Sequence, residues 1–346
     1  MNFILYALLT ALIIGFLTFI HEFGHFFFAR LFKVPVLEFA IGMGPKLLSW
    51  EGKTGTKYAL RAFPIGGFVQ MEGEEGTSEN PNAYNNLNPW KKIIVTAAGP
   101  VVNIVFAVTL MFILVLSTPQ LGSTTVADFF EGSVSNAYLQ PMDEIVQVGN
   151  VKVHTSEELY YEIMMQGYEA IDITVIRNGE RVVLEDVVFN TFEESGVVLG
   201  DADFRIYALS ALSDVTILDY LYQAFYRSLN SVKTVFDSLL GLISGRFGMD
   251  AVSGPVGMVE SVGMVASVNP SAIVNFIVLI SMNLGVFNLL PIPALDGGRI
   301  VFHLIDAIAG RKVIKKEIED TITAVTMMLL LGFMLFVSVK DVINLF

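Results

Sequence analysis

Residues 3–29 form an apolar run that closes with Phe16-Leu17-Thr18-Phe19-Ile20-His21-Glu22-Phe23-Gly24-His25-Phe26-Phe27-Phe28-Ala29. Crossing a hydrocarbon core of about 30 Å takes roughly 20 residues in a helix, and this run is long enough. Glu22 is its only charged side chain. A carboxylate at that depth is costly, so it reads as functional. His21 and His25 stand four residues apart, which puts both imidazoles on one side of a helix, where one metal ion can take both. Glu22 falls beside them, where a carboxylate can serve as base toward a water that the metal has made acidic. The run lacks the basic leading region and small-residue cleavage site of a signal peptide, so it is expected to be retained.

Three further apolar runs, 93–119, 272–290 and 321–339, meet the same length criterion. Of the 346 residues, 53% are hydrophobic and 16% charged, against roughly 25% charged in a soluble domain. The expected fold class is an α-helical integral membrane protein with four transmembrane helices. Arg30, Lys33, Lys46, Lys53, Lys57, Arg61, Lys91 and Lys92 lie between the first two runs, and Arg299, Arg311, Lys312, Lys315 and Lys316 precede the last. The positive-inside rule makes those loops cytoplasmic and puts both termini outside. The segment 118–206 carries sixteen Asp and Glu against Lys152, Arg177, Arg181 and Arg205, and is expected outside as well. A net charge of −13 argues against a nucleic-acid partner, and with no cysteine the chain has no disulfide or thiolate site.

Residues 34–75 read as a cytoplasmic-side β-hairpin, with stretches 47–50 and 58–63 around a turn at 51–56. It is either a solvated loop or folded back against the spans, where protein must satisfy its backbone. Residues 123–205 predict a small α+β domain, with strands at 144–148, 171–176 and 181–188 and a helix at 156–165 capped by Thr155 or Ser156. Arg177-Asn178-Gly179 is a hairpin turn signal between two of the strands. Apolar residues recur every three or four positions through 216–244, an amphipathic helix that either lies on the outer membrane surface or packs on the soluble domain. The expected organisation is thus a first membrane part at 1–122, an extracytoplasmic domain at 123–206, a surface helix and linker at 207–250, and a second membrane part at 251–346.

A catalytic metal usually needs a third protein ligand. His154 belongs to the soluble domain, and His303 reads as an ordinary interfacial histidine. Asp296 is the better candidate, within Asn288-Leu289-Leu290-Pro291-Ile292-Pro293-Ala294-Leu295-Asp296-Gly297-Gly298. No charge occurs between Glu260 and this aspartate. Pro291 and Pro293 remove backbone donors and break the helix, so the chain can bend a carboxylate inward. With the N-terminus outside, the first and third spans run in the same direction, which matches the depths of His21 and Asp296. The alternative is that Asp296 caps a helix after Pro293.

Taken together, His21-Glu22-Phe23-Gly24-His25 in a first span and Asn288 through Gly297 near a later one resemble the site-2 protease family of intramembrane zinc metalloproteases. The likeness extends to Gly66-Gly67-Phe68-Val69, Gly99-Pro100-Val101-Val102-Asn103 and Ser253-Gly254-Pro255-Val256-Gly257, and so covers nearly the whole chain. It is nearest to the bacterial branch of regulator-of-sigma-E proteases, which carry a PDZ-like insertion between the second and third spans; one such unit is expected here. Tyr138 and Met142 stand where that insertion usually has glycine, and Gly149-Asn150 reverses its common order, which argues against ordinary C-terminal peptide capture.

The resemblance implies zinc held by His21, His25 and Asp296, with Glu22 as general base and Asn288 as a substrate-binding or oxyanion-stabilising side chain. Asn288 could instead hydrogen-bond a neighbouring helix, and Asn103 reads first as packing the second span against the site. The implied activity is hydrolysis of peptide bonds in transmembrane segments of single-span membrane proteins, in regulated intramembrane proteolysis such as anti-sigma factor cleavage. The implied location is the plasma (inner) membrane of a bacterium, with the lipid bilayer and the substrates as partners and no indication of oligomeric state. A zinc transporter or sensor using the same ligands, and a non-catalytic PDZ scaffold, are the rival readings. A carboxylate at Glu22 that is not itself a ligand disfavours both.

Overall fold

The computed structural model describes residues 2–344 apart from 75, 195 and 269. In chain order the first elements are α1 (Asn2–Leu31), β1 (Val36–Glu51), β2 (Lys57–Met71) and α2 (Pro89–Leu116). Then come β3 (Gly122–Phe129), β4 (Glu144–Val148), β5 (Val151–Lys152), α3 (Ser156–Gln166), β6 (Ile171–Arg177), β7 (Glu180–Val187), β8 (Asn190–Glu194), β9 (Val197–Asp201) and β10 (Phe204–Ala208). The rest is helical: α4 (Ile217–Ile243), α5 (Pro255–Val268), α6 (Pro270–Leu289), α7 (Asp296–Ala309) and α8 (Lys316–Asn344).

Among the described residues, α1, α2, α6 and α8 are long and apolar enough to cross a membrane. The chain is an integral membrane protein with a β-containing portion. Each expected run falls on one of these helices. The second stops at Leu116, where Ser117 and Thr118 hydroxyls bond back to the Ile113 and Leu114 carbonyls and Pro119 disfavours continuation. Two compact units emerge, Met1–Ala107 with Ser253–Phe346 and Val108–Val252.

In the first unit β1 and β2 are longer than the sequence suggested, because both bend. Gly42, Gly44 and Gly66 take positive φ at the bends, which glycine adopts without steric cost. As a result Glu38–Ile41 pairs with Lys57–Leu60 on one side and with Gly67–Gln70 on the other. The stretch 67–70 is left as an outer edge that pairs with no further strand among the described residues, whereas the N–H and carbonyl of Met71 are both bonded to Glu74. The root of the hairpin is packed against the helices, with Val36, Phe39 and Val69 in one cluster with Ala29 and Val95. Its tip is exposed, Leu47, Leu48 and Trp50 among the exposed residues. The hairpin therefore folds back against the helices at its root and leaves its tip uncovered by protein.

Helix α5 has no counterpart in the sequence reading, whereas α7 is the helix that the alternative for Asp296 supposed, with Leu295 and not Asp296 at its N-cap. The irregular segment between α6 and α7 is short, and α7 begins at Asp296 itself. Gly297 and Gly298 let this happen: a Cβ on either would collide with carbonyls of Leu289 and Leu290 or with Ile292 and Pro293.

In the second unit the strand order is β10-β3-β4-β6-β7 with β5 beside β4, and β8-β9 form a separate hairpin. All the pairings are antiparallel. At the β6–β7 turn Asn178 and Gly179 have φ of 54° and 82°, as a two-residue hairpin loop requires. Thr155 caps α3 by accepting the Glu158 N–H at 3.2 Å. Helix α4 packs on α3 through its polar side: Arg227 pairs with Glu157 at 2.7 Å, Lys233 with Glu162 at 2.8 Å, and Tyr226 stacks on His154. Its buried residues include Gln223, Ala224 and Ser228, whereas Leu218, Phe225, Leu229 and Leu240 are exposed. The helix does pack on its own unit, and its apolar face is the one left uncovered.

Candidate metal centre

His21 and His25 project from one side of α1 toward α2, and the approach depends on glycine. Gly24 lies against the Ala98 carbonyl with no room for a Cβ, and a Cβ on Gly99 would come 2.9 Å from His21 Nε2. Pro100 lies within α2 and cannot donate to the Thr96 carbonyl, which loosens the helix on the turn that faces the imidazoles. Asp296 arrives from the first turn of α7. His21 Nε2 is 3.1 Å and His25 Nε2 3.4 Å from Asp296 Oδ2, and the two Nε2 atoms are 3.2 Å apart.

These three residues are the group of possible metal ligands among the described residues. Their spacing suits a cation. An unprotonated imidazole nitrogen and a carboxylate oxygen are all acceptors, and crowding them without a positive charge between is unfavourable. Ligands about 2.0–2.1 Å from a tetrahedral zinc stand roughly 3.3–3.4 Å from one another, close to the spacing here. The nitrogens facing away are also held. His25 Nδ1 lies 2.9 Å from the Val95 carbonyl and His21 Nδ1 lies 3.1 Å from the Asn103 amide nitrogen.

The cluster opens into a cavity of about 830 Å³ that Glu22 and Asn288 also line. Asn288 donates one N–H to the Leu284 carbonyl of its own helix at 2.9 Å, leaving its second N–H and its carbonyl oxygen uncommitted to that bond. The outer edge of β2 at Phe68–Gln70, with Met71 after it, forms part of the same wall. Ion pairs fix the remainder: Glu38 with Lys46 at 2.7 Å and Arg61 at 2.8 Å, and Arg299 with Glu74 at 2.8 Å. Burial works to raise the Glu38 carboxyl, but Lys46 and Arg61 outweigh it and hold the group below the ordinary carboxylate range.

The other two histidines stand elsewhere. His154 pairs with Glu158 at 3.1 Å in the second unit. His303 on α7 lies 2.9 Å from the Tyr84 hydroxyl, which lies 2.9 Å from Thr96 Oγ1, and burial together with Lys92 and Arg299 lowers its pKa to about 4. Tyr84, Thr96, Glu74 and Arg299 line the cavity without having been singled out from the sequence. Arg299 had a usable signal, since it is one helical turn after Asp296 on a helix that had to be recognised first.

Residues 9–333 match the description peptidase family M50. A Fusobacterium nucleatum protein is 36% identical over 344 residues, 98% of this chain and 99% of its own length. A Clostridium acetobutylicum protein is 34% identical over 330 residues, 95% of each. Both are provisionally named as zinc metalloproteases. The zinc metalloprotease RasP of Shouchella clausii is 28% identical over 413 aligned positions, 95% of this chain and 97% of its own.

Proposed function

The chain belongs to peptidase family M50, the site-2 protease family, and from that premise we propose that it is a zinc-dependent protease of transmembrane segments in single-span membrane proteins. The observation that carries the reading is the convergence of His21 Nε2, His25 Nε2 and Asp296 Oδ2 within 4.8 Å of one another, beside Glu22 in an open cavity.

His21, His25 and Asp296 would hold the zinc. Bound there, zinc supplies a Lewis acid for the scissile carbonyl and brings the ionisation of water near neutrality. Glu22 takes the proton of the attacking water and passes it to the leaving amine, so it ends the cycle as it began. The uncommitted N–H and oxygen of Asn288 bind the opened strand or the developing oxyanion. The outer edge at 67–70 can pair with an extended segment, which satisfies amide groups that a helix loses when it unwinds in a dry cleft.

The charge asymmetry supports a topology with both termini and residues 123–206 outside the cytoplasm. A sheet of short antiparallel strands with one flanking helix supports reading that stretch as a single PDZ-like domain that limits substrate access, within regulated intramembrane proteolysis.

The test is incubation of the purified full chain with a panel of single-span membrane proteins, with zinc, with a chelator, and with zinc restored. Cleavage lost on chelation and regained with zinc is expected. Cleavage that persists in metal-free protein would refute the reading.

A further inference from the structure

Helix α4 is turned the opposite way from a helix on a soluble domain, which buries its apolar side. The side packed on α3 is the polar one, joined through the Arg227–Glu157 and Lys233–Glu162 ion pairs. Gln223 Oε1, Arg227 Nε and Asn230 Oδ1 are buried without a hydrogen-bond partner among the described residues. Of the buried residues Gln223, Ala224, Ser228, Val235 and Gly241, Val235 alone has a sizeable apolar side chain. The unit therefore holds α4 through polar contacts and gives it little apolar burial.

The opposite side is a continuous apolar stripe. Leu218, Phe225, Leu229, Phe236, Leu240 and Ile243 fall along it and are 44–74% exposed. The four charged residues of the helix, Asp219, Arg227, Lys233 and Asp237, all lie off the stripe. The helix has 27 residues, so the stripe runs for about 40 Å. An apolar surface of that extent marks an interaction site.

The chain itself brings a lipid surface to this helix. Span α2 ends at Leu116 within the same compact unit, and after five connecting residues the Gly122 carbonyl accepts from Gln223 of α4 at 3.2 Å. Even fully extended, that connection reaches only about 20 Å, so the start of α4 is held near the bilayer face at which α2 emerges. Crossing the hydrocarbon core is excluded, because it would strand four charges there. Lying in the plane of the surface strands none: the polar side stays on α3 and the stripe sinks among headgroups and upper acyl chains. Exposed Tyr222, at the border of the stripe, has the amphipathic ring that suits this level.

We propose that α4 is an in-plane membrane anchor: its apolar stripe lies in the bilayer surface at the Leu116 end of α2, while its polar side holds α3. Apolar burial alone carries the contact, since the stripe has no lysine or arginine to select anionic headgroups. The anchor requires the membrane spans and is independent of the metal centre.

The chain has no cysteine, so a spin label can be attached at one chosen position at a time. Phe225→Cys, Leu229→Cys and Phe236→Cys label the stripe, and Ser238→Cys labels an exposed position off it. All four side chains are exposed, so the fold should tolerate each change. With the full chain in phosphatidylcholine vesicles, electron paramagnetic resonance compares how well each label is reached by oxygen, which concentrates in lipid, and by a nickel chelate, which stays in water. The stripe labels are expected to favour oxygen, at a depth of about 5–10 Å, and the Ser238 label to favour the chelate. Stripe labels that favour the chelate would put the face in water and overturn the proposal. Stripe labels shielded from both reagents would put protein over the face, a second copy of the chain or a substrate, and overturn it equally. Oxygen preference at all four positions would mean a helix sunk on every side, which also contradicts an anchor with a polar side on α3.

Discussion

Two aspartates, one in each unit, meet burial in opposite ways. Asp143 is 1% exposed and is fully answered: Arg177 Nε and an Arg177 terminal nitrogen each donate to it at 2.7 Å, and the Gln140 N–H adds a third bond. The fork matches the carboxylate, and nothing further is needed. Asp296 is also largely withdrawn from solvent, but what faces it is two imidazole nitrogens that are themselves acceptors unless protonated. The first arrangement is complete without a ligand, whereas the second needs a cation. A buried acid therefore reports function when its partners leave it unanswered, and the same residue type reports structure when they do not.

Exchanging the roles of these two aspartates gives the largest expected effects. Asp296→Ala should abolish cleavage and zinc binding while leaving thermal unfolding of the Val108–Val252 unit unchanged. Asp143→Ala should keep zinc and destabilise that unit by about 1.5–3 kcal/mol, the range for hydrogen bonds to charged groups, read from hydrogen exchange in β4 and β6. If Asp143→Ala lost zinc, or Asp296→Ala merely lowered stability, the distinction would collapse.

Next in size is Glu22→Gln, which removes the base and keeps the three converging atoms. Zinc content should stay at the wild-type level while turnover falls by about 10²–10⁴-fold. A smaller loss is expected from Asn288→Leu, about 10²-fold in turnover if the side chain acts as one oxyanion donor. If only substrate capture weakens, the residue holds the strand, and cleavage unaltered across several substrates would leave Asn288 a helix-bonding residue through the Leu284 carbonyl.

The smallest effect concerns Glu38, an acid answered like Asp143 but at the cavity wall. Its folded pKa lies below the unfolded value, so its pairing with Lys46 and Arg61 stabilises the hairpin above the ordinary carboxylate range and is lost as pH falls through the lowered value. Protection from hydrogen exchange across 38–41 should fall as pH drops below the ordinary carboxylate range, and Glu38→Gln should remove that pH dependence. An unchanged pH dependence in the variant would assign the effect elsewhere.

Much of this architecture was legible in the sequence for physical reasons. Long apolar runs have one stable solution in a bilayer, and the strands expected at 171–176 and 181–188 were marked by the turn between them. Asp296 stood out because prolines broke the helix ahead of the only charge in a long neutral stretch. What could not be read depended on contacts. The doubled pairing of Glu38–Ile41 follows from glycines whose positive φ sets bends that no alternation pattern encodes. The buried face of α4 was hidden because it is the polar one. The groups behind His25 and His21 are a carbonyl and an amide 70 and 82 positions away.

The central claim is that His21, His25 and Asp296 together hold one zinc ion. X-ray absorption at the zinc edge, on the purified full chain and on Asp296→Ala, tests it most directly. The expected result is one zinc per wild-type chain, with a first shell of nitrogen and oxygen that includes two imidazoles, and no bound zinc in the variant. Wild-type protein that cleaves without zinc, or an unchanged spectrum at full occupancy in Asp296→Ala, would contradict it.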